Sequence, residues 1–543
     1  NNQGGAIETH RLKLNADSLN NQAGRLVALS KSQQDWHIKN SINNQQGEVG
    51  ANGDLTLTAN SIDNQSGTIK SQTKLALNAK EQIDNSAGNL VAGNAVNLQA
   101  GKSLNNQSGT INSQQVTVTT DNLNNALGKL ISQTTLDIVA QQQVNNANGF
   151  IGSGDKLTLA TQNLVNSQQG TVQSETQLTV DAQRIDNQTG KILSGEQLVL
   201  NATTDLNNQR GTLYSKDIAL NANKIKNQQG QVIGENSIDI TAKNALDNTK
   251  GKVIANETLT TSVGQQLTNQ VGLLQSGHNA SITAKTLDNS DGQVLSGKAL
   301  DITTTARIGN TKGEISSQNV NIHTAHLDNQ IGKVITTQNL DLTSQGDVNN
   351  QSGLLEAGNQ LTLDTQGDIN NQKGTLQAGK QANLSAHTIE NSQGQLLSGN
   401  QLTLNTQNEL NNRQGKISAG NALQWQGYHF DNTAGLLQSG GILTLIGNQL
   451  SNQQKGQVLS QDVLSFNLSG DFNNQTGILN SQSDTSINAN LVNNAQGVVN
   501  ALGRLNIQAT QLIDNHDGRI FSQQAQTLNA HNILNQQGWI GSL

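Results

Sequence analysis

Leu55-Thr56-Leu57-Thr58-Ala59-Asn60-Ser61-Ile62-Asp63-Asn64-Gln65-Ser66-Gly67-Thr68-Ile69-Lys70-Ser71 contains every element needed to read the fold. Apolar residues alternate with polar ones at Leu55, Leu57 and Ala59, resume at Ile62, and resume again at Ile69 after Gly67. Period-two alternation marks strands with one buried face. The phrase between them, an aliphatic, any residue, Asn, two residues and Gly, recurs along the whole chain. Its glycines number twenty-seven, from Gly5 to Gly538, nearly all 19 to 21 residues apart, with one gap of 23 between Gly24 and Gly47. A fixed short period of this kind signals a solenoid.

Two residues after each repeat glycine stands Ile, Leu or Val, and four after it Ser, Ala, Thr or Gly. Inward positions therefore alternate between a branched aliphatic and a small residue. Asn lies three residues before the glycine in twenty-five of the twenty-seven turns, and the exceptions place Asn166 and Asn452 one residue further back from Gly170 and Gly456. Stacked Asn side chains can hydrogen-bond from coil to coil, and glycine is expected to supply the positive φ of a sharp bend. Pro is absent, as befits a chain whose N–H groups are wanted in a ladder. The expectation is an all-β, right-handed parallel β-helix (solenoid) of about 27 coils with 19–21 residues per coil and three short strands per coil. Residues 1–543 are read as one continuous repeat region without an internal linker, and the absence of Met suggests an internal fragment of a larger protein. At ~4.8 Å per coil the coils would rise roughly 125 Å. A coiled coil of three heptads fails, because the apolar residues fall at i, i+2 and a recurring glycine would cost about 1 kcal/mol each time.

Composition agrees. Only 2% of residues are aromatic and 13% charged, too little bulk for several globular cores. The net charge of −7 offers no basic stripe for phosphates, so nucleic-acid binding is not expected. With no Cys there is neither a disulfide framework nor a thiolate site. No apolar stretch is long enough to span a membrane as a helix.

Catalysis by a β-helix would need carboxylates gathered on one face with a basic or metal partner. Here the acids are scattered at the position before Asn, as at Asp63, Asp84, Asp186 and Asp431, where they resemble turn residues. Asp63 and Asp84 would stack about 5 Å apart. His323 and His326 offer an HxxH spacing, read as exposed residues on a strand and the following bend rather than as metal ligands. The outward Thr residues, such as Thr56, Thr117 and Thr158, form no regular array. No enzyme activity, cofactor or metal is expected. Trp36 and Trp425 sit at inward positions, with Gly427 and Phe430 compensating for the size of Trp425. That places Tyr428 and His429 in the intervening loop, as candidate surface contacts. Phe150 and Trp539, directly after their glycines and at outward parity, are the other two.

Phrases such as Leu206-Asn207-Asn208-Gln209-Arg210-Gly211-Thr212-Leu213-Tyr214-Ser215 and Ile62-Asp63-Asn64-Gln65-Ser66-Gly67 resemble the roughly 20-residue repeats of filamentous haemagglutinin. The resemblance covers the entire chain. It implies the stalk of a large two-partner secretion exoprotein, either an adhesin or a contact-dependent growth-inhibition toxin. It also implies export through an outer-membrane β-barrel partner and display on, or secretion from, a Gram-negative cell. The stalk would project a distal adhesive or toxin module; alternatively the rod itself binds a receptor or polysaccharide. No Asn-Pro secretion motif and no VENN motif occurs in the chain.

Overall fold

The computed structural model describes all residues, Asn1–Leu543, and contains strands, turns and no helix. The strands pair in parallel with the equivalent strand one coil later, as in Thr68↔Asn89, Ile69↔Leu90, Lys70↔Val91 and Ser71↔Ala92. The chain is a parallel β-solenoid of about 26 turns. It divides into two compact units, Asn1–Thr268 with Leu273–Ser276, and Asn269–Gly272 with Gly277–Leu543.

In the first unit a representative coil has a four-residue strand after the glycine, Thr68–Ser71, and a long strand, Lys74–Asp84. The long strand contains the second bend as a register shift, such as the one between Ala59 and Ser61. It therefore counts as one strand where the sequence suggested two. In much of the second unit the bend opens fully. There Gln360–Thr365 and Ile369–Asn370 are separate strands, giving three per coil.

The interior of each unit is a narrow aliphatic stack. Leu55, Leu57, Ile62 and Ile69 are all at most 1% exposed, each such side chain contributing about 1.5–3 kcal/mol on burial. The outward residues between them alternate with the pleat.

At the corner, Asn44 Nδ2 donates to Asn64 Oδ1 of the next coil at 2.7 Å, to Gly47 O at 3.1 Å and to Thr68 O at 3.1 Å. The first unit repeats the side-chain link through thirteen Asn residues, Asn2 to Asn248, at 2.7–2.8 Å. Fourteen more, Asn269 to Asn535, do so in the second. An amide that satisfies three acceptors inside a dry corner makes burial of a polar side chain affordable.

The role expected of the glycine is corrected. Apart from Gly4, the positive φ falls on non-glycine residues just before the repeat glycine, such as Ser66 at 56° and Val271 at 54°. The Gly67 N–H closes the turn onto Asn64 O. A positive φ at the third residue is the signature of a type II turn. Glycine is needed one position later for space. A Cβ on Gly67 would lie 2.2 Å from the Asn44 carbonyl oxygen and 2.7 Å from Asn64 Oδ1. In the two longer corners the extra residue is absorbed by consecutive positive φ values at Gln168 and Gln169, and at Gln454 and Lys455.

Candidate functional site

The coil that departs most from the pattern opens at Gly415. Trp425, 1% exposed, replaces the usual aliphatic between Leu404 below and Leu445 above. Its indole N–H donates to Thr406 Oγ1 at 3.0 Å, and its ring lies 5.2 Å from that of Phe430. Room comes from Gly427 and Gly447, where a Cβ would stand 2.7 Å and 2.6 Å from the indole. Next in line, Phe466 and Phe472 pack edge to face at 5.2 Å. The size compensation read from the sequence is therefore present, and bulky packing extends two coils beyond Trp425.

This bulky interior leaves Tyr428 on the bend outside it, 58% exposed. Its carbonyl accepts from the N–H groups of Asn448 and Gln449, so the backbone is held while the ring projects. His429, expected in the loop, instead begins the strand His429–Asp431, and its Nδ1 faces Glu409 Oε1 at 3.6 Å. Asp431, at outward parity after the buried Phe430, is nevertheless covered: its side chain is 4% exposed and accepts from Thr433 N at 2.8 Å and Arg413 Nε at 2.5 Å. Burial by itself would raise the Asp431 carboxyl, but the hydrogen bonds from Thr433 and the Arg413 guanidinium outweigh it and hold it below the usual carboxylate range. Arg413 is raised in turn, first by its hydrogen bond to Asp431, with Glu409 and Glu390 adding to the effect. The surface around Tyr428 thus carries an aromatic ring, an imidazole and a fixed ion pair.

The other two candidates do not join it. Phe150 lies in the first unit and is half-buried, its ring folded over Gly152, where a Cβ would be 2.5 Å from the ring. Outward parity was right for Phe150, but full exposure was not, because the neighbouring glycine gives the ring a bed. Trp539, six coils beyond Tyr428 in the sequence, is 45% exposed. It stacks on Phe521 at 5.5 Å, with the Arg519 guanidinium 4.7 Å from its ring centre. Spacing alone did not reveal Arg413, Glu409, Phe521 or Arg519, since each lies a whole coil away from the residue it serves. The signal available was the repeat itself: residues about 20 apart are neighbours.

Asp63 and Asp84 do occupy adjacent coils in register. Each accepts the N–H two residues on, from Gln65 at 3.0 Å and Ser86 at 2.9 Å, which is what a turn-capping carboxylate does. His323 and His326 are both exposed, and no group of three metal-ligating side chains occurs. An open trough of about 620 Å³ in the first unit, lined by Thr161, Asp181, Asn201 and Thr203, was not legible in the spacing of residues. Its wall is a surface ladder in which Asn201 donates to Asp181 Oδ1 at 2.7 Å and Asn221 to Asn201 Oδ1 at 2.9 Å.

The haemagglutinin repeat family matches nine overlapping stretches, residues 7–90, 83–168, 153–250, 253–319, 315–373, 357–414, 402–475, 463–515 and 501–543. No curated protein and no solved structure matches the chain.

Proposed function

The chain belongs to the haemagglutinin repeat family, and from that premise we propose that it is the stalk of a two-partner-secreted surface exoprotein of a Gram-negative bacterium, holding a distal adhesive or toxin module away from the producing cell. Haemagglutinin repeats belong to secreted or surface-displayed bacterial proteins of structural and adhesive kind. The partner for export would be an outer-membrane β-barrel. The supporting observation is the asparagine corner, kept through thirteen coils of one unit and fourteen of the other while the outward residues vary freely. Such a sequence is constrained for stacking, with near one-dimensional energetics in which each coil depends on its neighbours.

A second reading, that the surface itself binds a receptor or polysaccharide, is favoured at one place by the exposed Tyr428 ring beside His429 and Arg413. One experiment separates the two. Deleting residues 191–251 from the full-length displayed protein removes three turns and rejoins equivalent positions; deleting 395–456 removes three turns including Tyr428. For a stalk, attachment or intoxication of target cells survives both deletions alike, once surface display and protease resistance are verified. Loss confined to the second deletion overturns the stalk reading in favour of the surface adhesin.

A further inference from the structure

The coil lengths are themselves periodic. From Gly109 the spacings run 19, 21, 21, 20, 21, and that series occurs three times in succession to Gly415, so Gly109, Gly211, Gly313 and Gly415 stand 102 residues apart. Other features keep the same step. Ser194-Gly195, Ser296-Gly297 and Ser398-Gly399 occupy one bend, and Asp137, Asp239 and Asp341 one outward position between two aliphatics.

The 19-residue coils opening at Gly109, Gly211 and Gly313 share a structural defect. In an ordinary coil the strand after the glycine pairs with its predecessor through four residues, ending for example at Ser174↔Ser194. Against their predecessors these three coils pair through only three, stopping at Asn112↔Val91, Leu193↔Tyr214 and Leu295↔Ser316. The fourth residue is Ser113, Ser215 and Ser317 respectively. In ordinary coils that serine curls back to a carbonyl of the preceding bend, as Ser132 does to Gln114 O at 2.8 Å and Ser194 to Thr176 O at 2.9 Å. In the short coils all three hydroxyls are buried, 3%, 0% and 5% exposed by residue, and none has a partner.

The cause is one missing residue. Three positions separate Ser215 from the next inward aliphatic, Ile218, whereas four separate Ser194 from Leu198. The shortened first bend draws the serine out of line with the coil below, and it forfeits both the ladder pair and the hydroxyl bond.

We infer that the interfaces below Gly109, Gly211 and Gly313 are the joints of a five-coil, 102-residue module, and that the coil stack opens first at these joints, so the solenoid yields in blocks of five coils. The inference stands apart from the secretion and attachment reading, because it concerns local opening alone. Amide hydrogen exchange on the full-length chain tests it, since protection reports the free energy of local opening. Peptides covering 110–118, 212–220 and 314–322 are expected to exchange about tenfold faster than the same columns at 150–158 and 252–260, whose strands pair through four residues with the coil on either side. Ser215→Ala removes a hydroxyl that has no partner and is expected to slow exchange at 212–220 alone, while Ser194→Ala removes a bonded one and speeds exchange at 191–199. Equal rates along the column, minima without the 102-residue step, or faster exchange in Ser215→Ala would overturn the inference.

Discussion

Within a single coil the Asn-to-Gly corner and the bends obey opposite rules. The corner keeps its Asn even where an extra residue is inserted, as at Asn166 and Asn452, whose amides still donate to Asn187 and Asn474 at 2.8 Å. The bends gain or lose residues from coil to coil, and strands fuse or separate accordingly, from the unbroken Thr212–Lys226 to the split Gln360–Thr365 and Ile369–Asn370. A side-chain ladder needs each amide at one position, since a displaced Asn strands donors and acceptors in a dry interior. A bend needs only reach, and its backbone groups find water or a neighbour. The lesson is that register is carried at the corner and variation is tolerated at the bends.

The largest effect expected is from Asn208→Ala. It deprives Asn187 of an acceptor and leaves Asn227 Oδ1, Gly211 O and Gln231 O without their donor. At about 1 kcal/mol per broken bond, local stability falls by about 4 kcal/mol, whereas Asn201→Ala on the exposed ladder costs roughly 0.5 kcal/mol or less. Thermal unfolding with limited proteolysis would show it, and similar losses in the two variants would break the comparison.

Second comes Gly211→Ala, where the new Cβ would meet Asn187 O at 2.3 Å; overpacking of this kind costs about 1–3 kcal/mol. Gly309→Ala, whose Cβ meets nothing nearer than 3.9 Å, should be neutral or mildly stabilising. Denaturant midpoints of the two variants decide whether the glycine serves space or flexibility. Third, Ile331 holds a φ of 58° with a β-branched side chain and is 52% exposed, so Ile331→Asn should gain about 1 kcal/mol in a melting experiment.

The smallest effect is electrostatic. The Asp431 carboxyl lies below its unfolded value, so its contribution is present above about pH 4 and is lost as the pH falls through the folded value. Asp431→Asn should flatten the acid limb of stability below about pH 4; an unchanged slope would show that the hydrogen bonds from Thr433 and Arg413 contribute nothing.

Much of this was legible in the one-dimensional pattern. Alternation at Leu55, Leu57 and Ala59 identified the buried face, and the Asn column identified the ladder, because both repeat with the coil. The 102-residue step was equally present in the glycine positions, but its meaning was not, since a shorter coil discloses nothing until it is laid on its neighbour. Near Tyr428 the sequence indicated bulk inside and an aromatic outside. It could not indicate that His429 faces Glu409 or that Asp431 is buried on Arg413, because those partners belong to the coil before.

The sequence by itself determined the architecture: a parallel stack in which Ile, Leu and Val point inward, Asn lines one corner and Gly follows it. Periodicity suffices for that, because every coil must bury the same face against the next. Only the tertiary structure decided why each conserved-looking position is what it is. The positive φ belongs to residues such as Ser66 and Val271, and glycine follows them because the preceding coil's carbonyl occupies the space of a side chain. Likewise the same serine column is bonded at Ser194 and orphaned at Ser215, a difference set by how one coil lies on another. Contacts between coils are distances across the stack, and the order of residues along one strand does not contain them.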